Sequence, residues 1–597
     1  MGSILIKRII MKIKVLIICL GLSLSALGQD ETIILESSAS MVLSGDIKLV
    51  LDDISLTNEG SLDATDGEVV VSSSSSSFFS TTQSLYLNSL VTADNNVDFN
   101  MEGEFEVSDL TLASSDNLIF SDTSSLTLSG EVNATGEITM ESGSALWIKG
   151  TITETALDNV TVERIGPHNS TTGKYSVYGA PVDDAAFSVL GTNAQSWIYE
   201  HNESTKDFSA ASGSMMTPGK GYFVAFPGDS EGSITFNGSP NYKNFTYPLT
   251  RTNSGLPDER GFNLIANPFT CPVEFDDFIS DSGNESLLEE STIWIWDDYA
   301  SDTGGGTSDD YLAINYLGSS SYDITDSRNG GETNWDGTIN VAQGFFVKAS
   351  ASGDISFKQN MKTLEGNDDA SFFRVEPSAK YWLKIANESI EGASTLLGFI
   401  EDATYEKDAL YDASRFGGGF AIYSVVDDYK LAIQGIPTEW LTNYDDQHLL
   451  SLGYNVAEAG MYTISLAAQE GSQQGALYLN DHLNLSSVNI LTEAYQFATE
   501  AGSVNDRFSI SLEPLRLEEV LSEEPSVPSI LIYGRSNSLV LNASFEGRYK
   551  VSTLSGKHVY EATFLSGRTE LPLASGLYII SVESPEGFSS YKVSVSN

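Results

Sequence analysis

The sequence has little cysteine, few basic residues and, beyond its first 28 positions, no long apolar run. It contains two cysteines, Cys19 and Cys271, and only 31 Lys and Arg against 82 Asp and Glu, a formal net charge of −51. Because binding to nucleic acid phosphates requires a basic surface, this composition excludes nucleic acid as a partner. No later segment approaches the about 18 consecutive apolar residues that span a bilayer, so we predict no transmembrane segment in the mature chain.

The N-terminus carries the pattern of an export signal. Residues 11–28 read MKIKVLIICLGLSLSALG, in which Lys12 and Lys14 precede a short apolar stretch and small residues precede Gln29. We therefore predict a signal peptide over 1–28 and an extracellular protein, either attached at the cell surface or released. The apolar stretch is too short for a membrane anchor. Removal of four basic residues leaves 27 − 82 = −55 charges.

The remaining chain predicts an all-β protein, because short alternating apolar and polar runs are separated throughout by Gly, Asn, Asp and Ser. In the region 29–160, SLTLSG at 125–130 recurs 20 residues later as ALWIKG at 145–150. Irregular repeats of about this length favour a β-solenoid-like stack, in which each coil buries its strands against the next. A meander of hairpins is the alternative.

The region 161–363 contains an internal duplication, with copies at about 161–250 and 251–363. Four blocks recur in the same order: YSVYGAP at 175–181, WIY at 197–199, GKGYFV at 219–224 and ITF at 234–236, against FNLIANP at 262–268, WIW at 294–296, AQGFFV at 342–347 and ISF at 355–357. Each block resembles a strand, and the Gly before the aromatic pair suits a tight turn or a close backbone approach. We predict two related β-sheet units packed together.

The C-terminal third divides at an abrupt change of charge. We predict a β-sandwich over 372–513 and an acidic linker over 514–527. Residues 528–597 then carry six basic and five acidic residues, net +1, which leaves 21 − 77 = −56 for 29–527. Such a break indicates a separate module.

This last module resembles the type A C-terminal sorting domain of the type IX secretion system of Bacteroidetes. The matching stretches are VSTLSGKHV at 551–559, LASGLYIISV at 573–582 and YKVSV at 591–595. The family's opening Tyr-Pro-Asn-Pro is absent, and IYGR stands at 532–535.

The resemblance implies an Ig-like β-sandwich read by the outer-membrane translocon. It assigns the sorting signal to Gly556, Lys557, Gly576, Tyr578 and Lys592. Upstream, TVER at 161–164, PGKGY at 218–222 and ANPF at 266–269 resemble blocks of non-catalytic surface proteins that carry this tail.

No catalytic constellation emerges from the sequence. There is no Gly-x-Ser-x-Gly elbow and no His-Glu-x-x-His helix, and the five histidines are scattered without metal-ligand spacing. Gly219-Lys220-Gly221 lacks the Ser or Thr of a phosphate-binding loop and is interpreted as a structural turn. Cys271, the one cysteine left after processing, can form no intramolecular disulfide, and we expect a buried, inert thiol.

Two kinds of ligand site remain as hypotheses. Calcium, a hard cation with oxygen ligands, suits the acidic Gly-rich loop that holds Asp297, Asp298, Asp302, Asp309 and Asp310. Solvated loops are the alternative interpretation.

Aromatic side chains are the second hypothesis, because sugar faces stack on tryptophan and tyrosine. Trp197 and Trp294 occupy equivalent positions in the two copies, which favours a core role, whereas Trp335 lies in a polar loop and is the candidate for a ligand contact.

These observations predict a secreted, multidomain protein without catalytic activity that acts as an adhesin or a structural component of the cell exterior. Its partners would be the type IX translocon and surface glycans or other surface proteins. A carbohydrate-binding accessory protein of polymer degradation and a self-assembling filament subunit are the alternatives.

Overall fold

In a computed structural model the chain separates into two compact units, Met1–Pro514 and Leu515–Asn597. The structure describes residues 22–25, 31–93, 95–152, 157–165, 175–190, 198–225, 233–253, 259–296, 311–321, 337–364, 378–388, 391–417, 419–442, 449–471, 475–515, 530–535, 537–543, 545–584 and 587–595. Across these ranges, no helix has the length and apolarity needed to cross a membrane. Strands dominate both units, which confirms the predicted all-β class.

The first unit begins with a solenoid of mainly parallel strands. Its strands are β1 (Leu22–Ser25), β2 (Glu31–Leu35), β3 (Ser40–Val42), β4 (Lys48–Leu51), β5 (Ile54–Asn58), β6 (Ser61–Val71), β7 (Ser77–Thr81), β8 (Leu85–Thr92), β9 (Asp98–Glu102), β10 (Glu104–Leu112), β11 (Asn117–Phe120), β12 (Ser125–Leu128), β13 (Glu131–Ala134), β14 (Glu137–Met140), β15 (Ala145–Ile148) and β16 (Thr151–Ile152). They form two sheets, in the orders β1-β2-β5-β7-β9-β11-β14 and β15-β12-β10-β8-β6-β3. β4 pairs with β6, and β13 pairs with β10 and β16. β1, which lies within the predicted leader, pairs antiparallel with β2.

The repeat seen in the sequence is one coil of this solenoid. Leu126 pairs in parallel with Leu146, and Leu128 with Ile148, so equivalent positions of the repeat lie in register on neighbouring coils. Parallel pairing between successive coils confirms the solenoid and rules out the meander of hairpins. Inward-facing side chains form buried ladders along the stack, as in Leu56, Phe79, Met101, Phe120, Met140 and Val162.

The duplicated β-sheet units follow. Their elements are β17 (Val160–Ile165), β18 (Tyr175–Tyr178), β19 (Ile198–Asn202), β20 (Asp207–Ala210), β21 (Tyr222–Ala225), β22 (Ser233–Gly238), β23 (Phe245–Leu249), β24 (Phe262–Ala266), β25 (Val273–Glu274), α1 (Phe275–Ser280), α2 (Ser282–Leu287), β26 (Leu288–Trp296), β27 (Tyr311–Asn315), β28 (Gly318–Ser319), β29 (Thr338–Ile339), β30 (Gly344–Ala349) and β31 (Gly353–Phe357). Short 3-10 helices occupy Phe187–Leu190 and Gln359–Met361. The first copy has the sheet order β18-β21-β19-β20 and the second has β24-β30-β26-β27-β28. β22 pairs with β17 as β31 pairs with β23, so the two copies share one topology.

Each copy donates a backbone hydrogen bond to the other copy, at equivalent positions. The amide of Gly179 donates to the carbonyl of Ala342 (3.0 Å), and the equivalent amide of Ala266 donates to the carbonyl of Gly219 (2.9 Å). Both acceptor residues have positive φ, +60° at Ala342 and +76° at Gly219. A Cβ at Gly344 would lie 2.4 Å from Cγ1 of Val177 in the other copy. The predicted close approach at this glycine is therefore a contact between the copies.

The duplicated units also close the C-terminal end of the solenoid. The first sheet continues from β14 through β17 into β22. β15 is the end strand of the second solenoid sheet. Its Leu146 amide donates to the carbonyl of Thr270 (2.7 Å), and the Thr270 hydroxyl donates back to the carbonyl of Leu146 (2.7 Å). The backbone amide and carbonyl of Leu146, at this end of the stack, are therefore both satisfied by the second copy.

The first unit ends in one rolled sheet. Its strands are β32 (Ala379–Ala386), β33 (Thr395–Ile400), β34 (Ala413–Ser414), β35 (Ala421–Val426), β36 (Tyr429–Pro437), β37 (Leu450–Val456), β38 (Gly460–Gly471), β39 (Tyr478–Asp481), β40 (Ser486–Asn489), β41 (Tyr495–Thr499) and β42 (Gly502–Ser511), with a 3-10 helix at Thr438–Leu441. The order is β40-β39-β42-β37-β35-β36-β33-β32-β38-β41, with β34 on β36. The two ends of the sheet meet where the Tyr495 hydroxyl donates to the Asp481 carboxylate (2.8 Å), which also binds Arg507 (2.7 Å).

The second unit consists of a three-stranded and a four-stranded sheet. Its strands are β43 (Ile530–Arg535), β44 (Ser538–Ala543), β45 (Gly547–Thr553), β46 (His558–Phe564), β47 (Gly567–Pro572), β48 (Gly576–Ser584) and β49 (Gly587–Val595). The sheet orders are β43-β44-β47 and β46-β45-β48-β49. Leu541, Val551, Ile580 and Val582 belong to one core shared by both sheets.

Candidate functional site

Alternation along the strands directs one face of each duplicated sheet toward a common junction with the rolled sheet. Val177 and Phe223 of the first copy, Trp294 and Phe346 of the second and Trp382 of the rolled sheet share this core. Aromatic rings gather along it, and we call eight of them the aromatic cluster: Tyr175, Tyr199, Phe208, Phe223, Trp296, Tyr311, Phe346 and Phe416.

The rings of the aromatic cluster pack mostly edge to face. Ring centroids lie 5.0 Å apart for Phe223 and Trp296, 4.8 Å for Trp296 and Tyr311, and 4.4 Å for Tyr311 and Phe416. The Trp296 indole N–H donates to the carbonyl of Tyr175 (3.1 Å), which holds the indole ring in place. Such contacts between planar rings restrict rotamers and produce a rigid surface.

One side of the cluster faces solvent. Phe208, on the edge strand β20, is 42% exposed while its ring lies 4.9 Å from that of Phe223. Tyr199, Tyr311 and Phe416 are partly buried. A rigid, partly open group of aromatic faces is the arrangement on which planar or sugar-like apolar faces stack.

His201 is inserted into this cluster and carries no charge at neutral pH. Its ring lies 5.2 Å from Phe208 and 5.0 Å from Phe346. Burial lowers the pKa of His201 to about 4, although the charges of Glu203 and Asp207 act in the opposite direction. His201 therefore adds no positive charge to the cluster near neutral pH, and the exposed carboxylate of Asp207 lies beside it.

Of the tryptophans considered in the sequence for the duplicated region, Trp294 and Trp296 lie within the described residues. Trp294 is buried, and its indole N–H donates to the carbonyl of Ser414 (2.9 Å), as expected for a core residue. Trp197 and Trp335 lie outside the described residues, as do the calcium candidates Asp297, Asp298, Asp302, Asp309 and Asp310. Within the part of the chain that the structure describes, no group of three or more acidic, His or Cys side chains is placed to hold a metal ion.

The acidic segment 297–310 nevertheless lies between two members of the cluster in the sequence. Residues 297–310 follow Trp296 and precede Tyr311. No sequence pattern singles out Phe208, Tyr311 or Phe416, because each stands apart from other cluster residues in its segment. The sequence signal for this cluster is the tryptophan-rich WIW at 294–296, which directly precedes an acidic, Gly-rich segment.

The strongest electrostatic feature is a closed ion-pair network at Glu290. This side chain is fully buried and binds Lys348 (3.0 Å), Lys407 (2.6 Å) and the amide of Ser414 (2.7 Å). Burial alone would raise the pKa of Glu290, but the two lysines and Ser414 lower it to about 2. Lys348 belongs to the second copy and Lys407 and Ser414 to the rolled-sheet region, so this carboxylate joins the second copy to the rolled sheet.

Asp412 and Cys271 are also buried, and burial raises the pKa of each side chain. Burial raises the pKa of Asp412 to about 7, although its carboxylate accepts the amides of Asp408 (2.8 Å) and Gly435 (2.7 Å). Burial raises the pKa of the Cys271 thiol to about 12, and the thiol is free, which confirms the predicted inert cysteine.

Gly219-Lys220-Gly221 is a structural turn, as predicted. Gly219 has positive φ, the Lys220 ammonium forms an ion pair with Glu200, and the backbone of Lys220 bridges to Ile265 in the other copy. The segment therefore belongs to the contact between the copies.

Four of the five residues assigned to the sorting signal lie in turns or on an outer surface of the second unit, whereas Tyr578 is buried in its core. Gly556 has a φ of +80° in the turn before β46, and Lys557 and Lys592 are exposed. The Tyr578 hydroxyl donates to the carbonyl of Ala574 (2.8 Å). Gly576, which begins β48, is exposed.

Comparisons with known proteins add a family and a distant structural likeness. A family described as "Domain of unknown function (DUF8693)" matches residues 80–512. No curated protein matches the chain. Among solved structures, a chain titled "Biofilm associated protein - BSP domain" matches with 9% sequence identity and a TM-score of 0.18, covering 74% of this chain and 96% of that chain. A likeness of this size carries no argument about function.

Proposed function

The chain belongs to the DUF8693 family, and from that premise we propose that it is a non-catalytic protein of the cell exterior that acts as an adhesin. The aromatic cluster is its contact surface, and a glycan is its ligand. The single observation that carries this proposal is Phe208, which is 42% exposed yet belongs to a rigid group of packed rings.

The chemistry of the surface narrows the ligand class. His201 is neutral near pH 7, and the region 29–527 carries 21 − 77 = −56 charges, so polyanionic glycans are repelled. Neutral or cationic glycans can approach, and their apolar ring faces can stack on partly open aromatic side chains. The same surface would also serve the alternative role, a carbohydrate-binding accessory protein of polymer degradation.

Export to the exterior is the second part of the proposal. The signal-like segment 11–28 supports removal of residues 1–28, and the stretches at 551–559, 573–582 and 591–595 support delivery by the type IX translocon. The second unit is compact on its own, as a separately recognised tail requires. The mature protein would then be retained on the outer membrane or released.

A glycan array probed with residues 29–514 tests the ligand. We expect saturable binding to a neutral or cationic glycan, and a loss of at least about tenfold in affinity, about 1.4 kcal/mol, in Phe208→Ala. Tyr86→Ala is the matched control, because Tyr86 is 37% exposed on the solenoid and lies outside the cluster. Absence of glycan binding, or equal losses in both variants, would contradict the proposal.

A further inference from the structure

A segment between β33 and β34 crosses the junction of the second copy and the rolled sheet. We call residues 401–412 the strap. Its carbonyl groups at Ala409 and Tyr411 accept the backbone amide of Ser291 (2.8 Å) and the side-chain amide of Asn315 (2.8 Å), both from the second copy. The Tyr411 side chain is buried in the core that the second copy and the rolled sheet share. The strap therefore joins these two parts of the first unit.

Asp412 binds the strap to the rolled sheet. Its carboxylate accepts the backbone amides of Gly435 on β36 (2.7 Å) and of Asp408 in the strap (2.8 Å). The side chain is 1% exposed, and no lysine or arginine in the described ranges forms an ion pair with it. Asp412 therefore lacks the counter-charge that normally accompanies a buried carboxylate.

The carboxylates near Asp412 oppose its ionisation. Asp408 lies in the strap itself and Glu290 on β26, and both add to the effect of burial, which raises the pKa of Asp412 to about 7. β36 faces Asp412 with an uncharged backbone amide. The ammonium groups of Lys348 on β30 and Lys407 in the strap are both bound to Glu290 (3.0 and 2.6 Å). Asp412 therefore changes its charge near neutral pH at a buried contact between structural elements.

A second anchor lies directly beyond the strap and keeps its charge across this pH range. The amide of Ser414 donates to the Glu290 carboxylate (2.7 Å), and the Ser414 carbonyl accepts the Trp294 indole N–H (2.9 Å). Two lysines lower the pKa of Glu290 to about 2 despite its burial, so it stays ionised near neutral pH. The anchors at Asp412 and Ser414 are two residues apart and respond differently to pH.

We propose that the strap is a pH-sensitive latch, which holds the junction closed while Asp412 is protonated and opens when this buried carboxyl group ionises. Opening exposes the charged carboxylate to water and relieves the cost of its burial. Because the pKa of Asp412 rises on folding from an ordinary 3.8 to about 7, its stabilisation is complete below pH 3.8 and is lost as the pH rises through 7. The anchor at Ser414 keeps Phe416 in the aromatic cluster, so the opening is confined to 401–412.

Hydrogen exchange of the full chain from about pH 6 to about pH 8.5 tests this inference, read at single residues by mass spectrometry with electron-transfer fragmentation. After correction for the intrinsic pH dependence of exchange, we expect the opening constant at the Gly435 amide to rise at least about tenfold, because Asp412 is mostly ionised at the upper pH. The Ser414 amide, bound to Glu290, is the internal control and should change less than about twofold.

Two variants identify the group that titrates. Asp412→Asn keeps the size of the side chain without its charge, and should abolish the pH dependence at Gly435. Asp428→Asn, in the exposed turn before β36, is the matched control and should preserve it.

A Gly435 amide with the same opening constant at both pH values overturns the inference. So does a Ser414 amide that opens in parallel, or an Asp412→Asn chain that keeps the pH dependence. Should Asp412→Asn fail to fold, the wild-type comparison of the Gly435 and Ser414 amides decides the question by itself. These measurements need no ligand, so failure of glycan binding leaves them unaffected.

Discussion

At the scale of single residues, the buried carboxylate of Glu290 is held in contacts between structural elements. Glu290 accepts from two lysines and from Ser414, and its pKa is lowered to about 2 despite complete burial. When a buried charge is paired inside the protein, removing one partner is strongly destabilising, because the remaining charge stays buried without compensation. We therefore assign Glu290 to the docking of the rolled sheet on the second copy.

Glu290→Gln should lower the free energy of unfolding by about 3 kcal/mol at pH 7, because the buried ammonium of Lys348 loses its fully buried carboxylate partner and keeps only the partly exposed Glu289 (3.1 Å). The pKa of Glu290 falls from an ordinary 4.5 to about 2 on folding, so its contribution is complete above pH 4.5 and is lost as the pH falls toward 2. Thermal unfolding of wild type and variant across this range should show that difference.

Glu68→Gln is the matched control for this experiment. Glu68 pairs with Lys48 at the surface (2.5 Å), where removal of an ion pair changes stability by less than about 1 kcal/mol. Equal melting temperatures for Glu290→Gln and wild type at pH 7 would contradict the structural role of Glu290.

At the scale of elements, the duplicated blocks in the sequence correspond to strands at equivalent places in two sheets of the same order. Tyr178 forms a β-bridge with Gln343, and Ile265 forms one with Lys220. Tyr178 and Ile265 are equivalent positions, as are Gln343 and Lys220, so the two copies are related by an approximate twofold axis. Blocks that recur in the sequence are therefore the blocks that contact each other. This explains why glycine precedes the aromatic pair in both copies.

Gly344→Ala should destabilise the first unit by about 1–3 kcal/mol, because the new methyl group would overlap Val177 and force the copies apart. A lower melting temperature and altered near-ultraviolet circular dichroism would report the change. Gly475→Ala is the control, since a Cβ there has no atom within 4 Å. Identical melting of the two variants would show that the contact between the copies tolerates the methyl group.

At the scale of the whole molecule, charge and compactness divide the chain on either side of the acidic linker 514–527. The first unit ends at Pro514, and the net charge changes from −56 over 29–527 to +1 over 528–597. An acidic body favours solubility outside the cell, and a nearly neutral tail can be recognised independently of that body. This separation is what the proposed export route requires.

Deletion of 515–597 should abolish delivery to the cell surface and leave the melting temperature of the first unit unchanged, because the two units have separate cores. Surface proteolysis of intact cells, together with thermal melting of the purified truncated chain, measures both effects. Tyr86→Ala in the full chain is the control and should reach the surface normally. A truncated chain that still reaches the surface would refute the sorting role of the tail.

Local patterns in the sequence were enough to predict strands, the solenoid repeat, the duplication and the inert cysteine, because alternation and repeat spacing are properties of neighbouring residues. SLTLSG and ALWIKG could be matched before their coils were known to stack. The predicted calcium residues and Trp335 lie outside the described structure, so those hypotheses stay as predictions.

The aromatic cluster and the ion pairs of Glu290 required the folded chain. Phe208, Tyr311 and Phe416 are far apart in sequence, and no local pattern connects them. Their rings meet because three sheets each bury one face in the same junction. Contacts of this kind depend on the packing of distant segments, whereas strand periodicity depends only on the alternation of adjacent side chains.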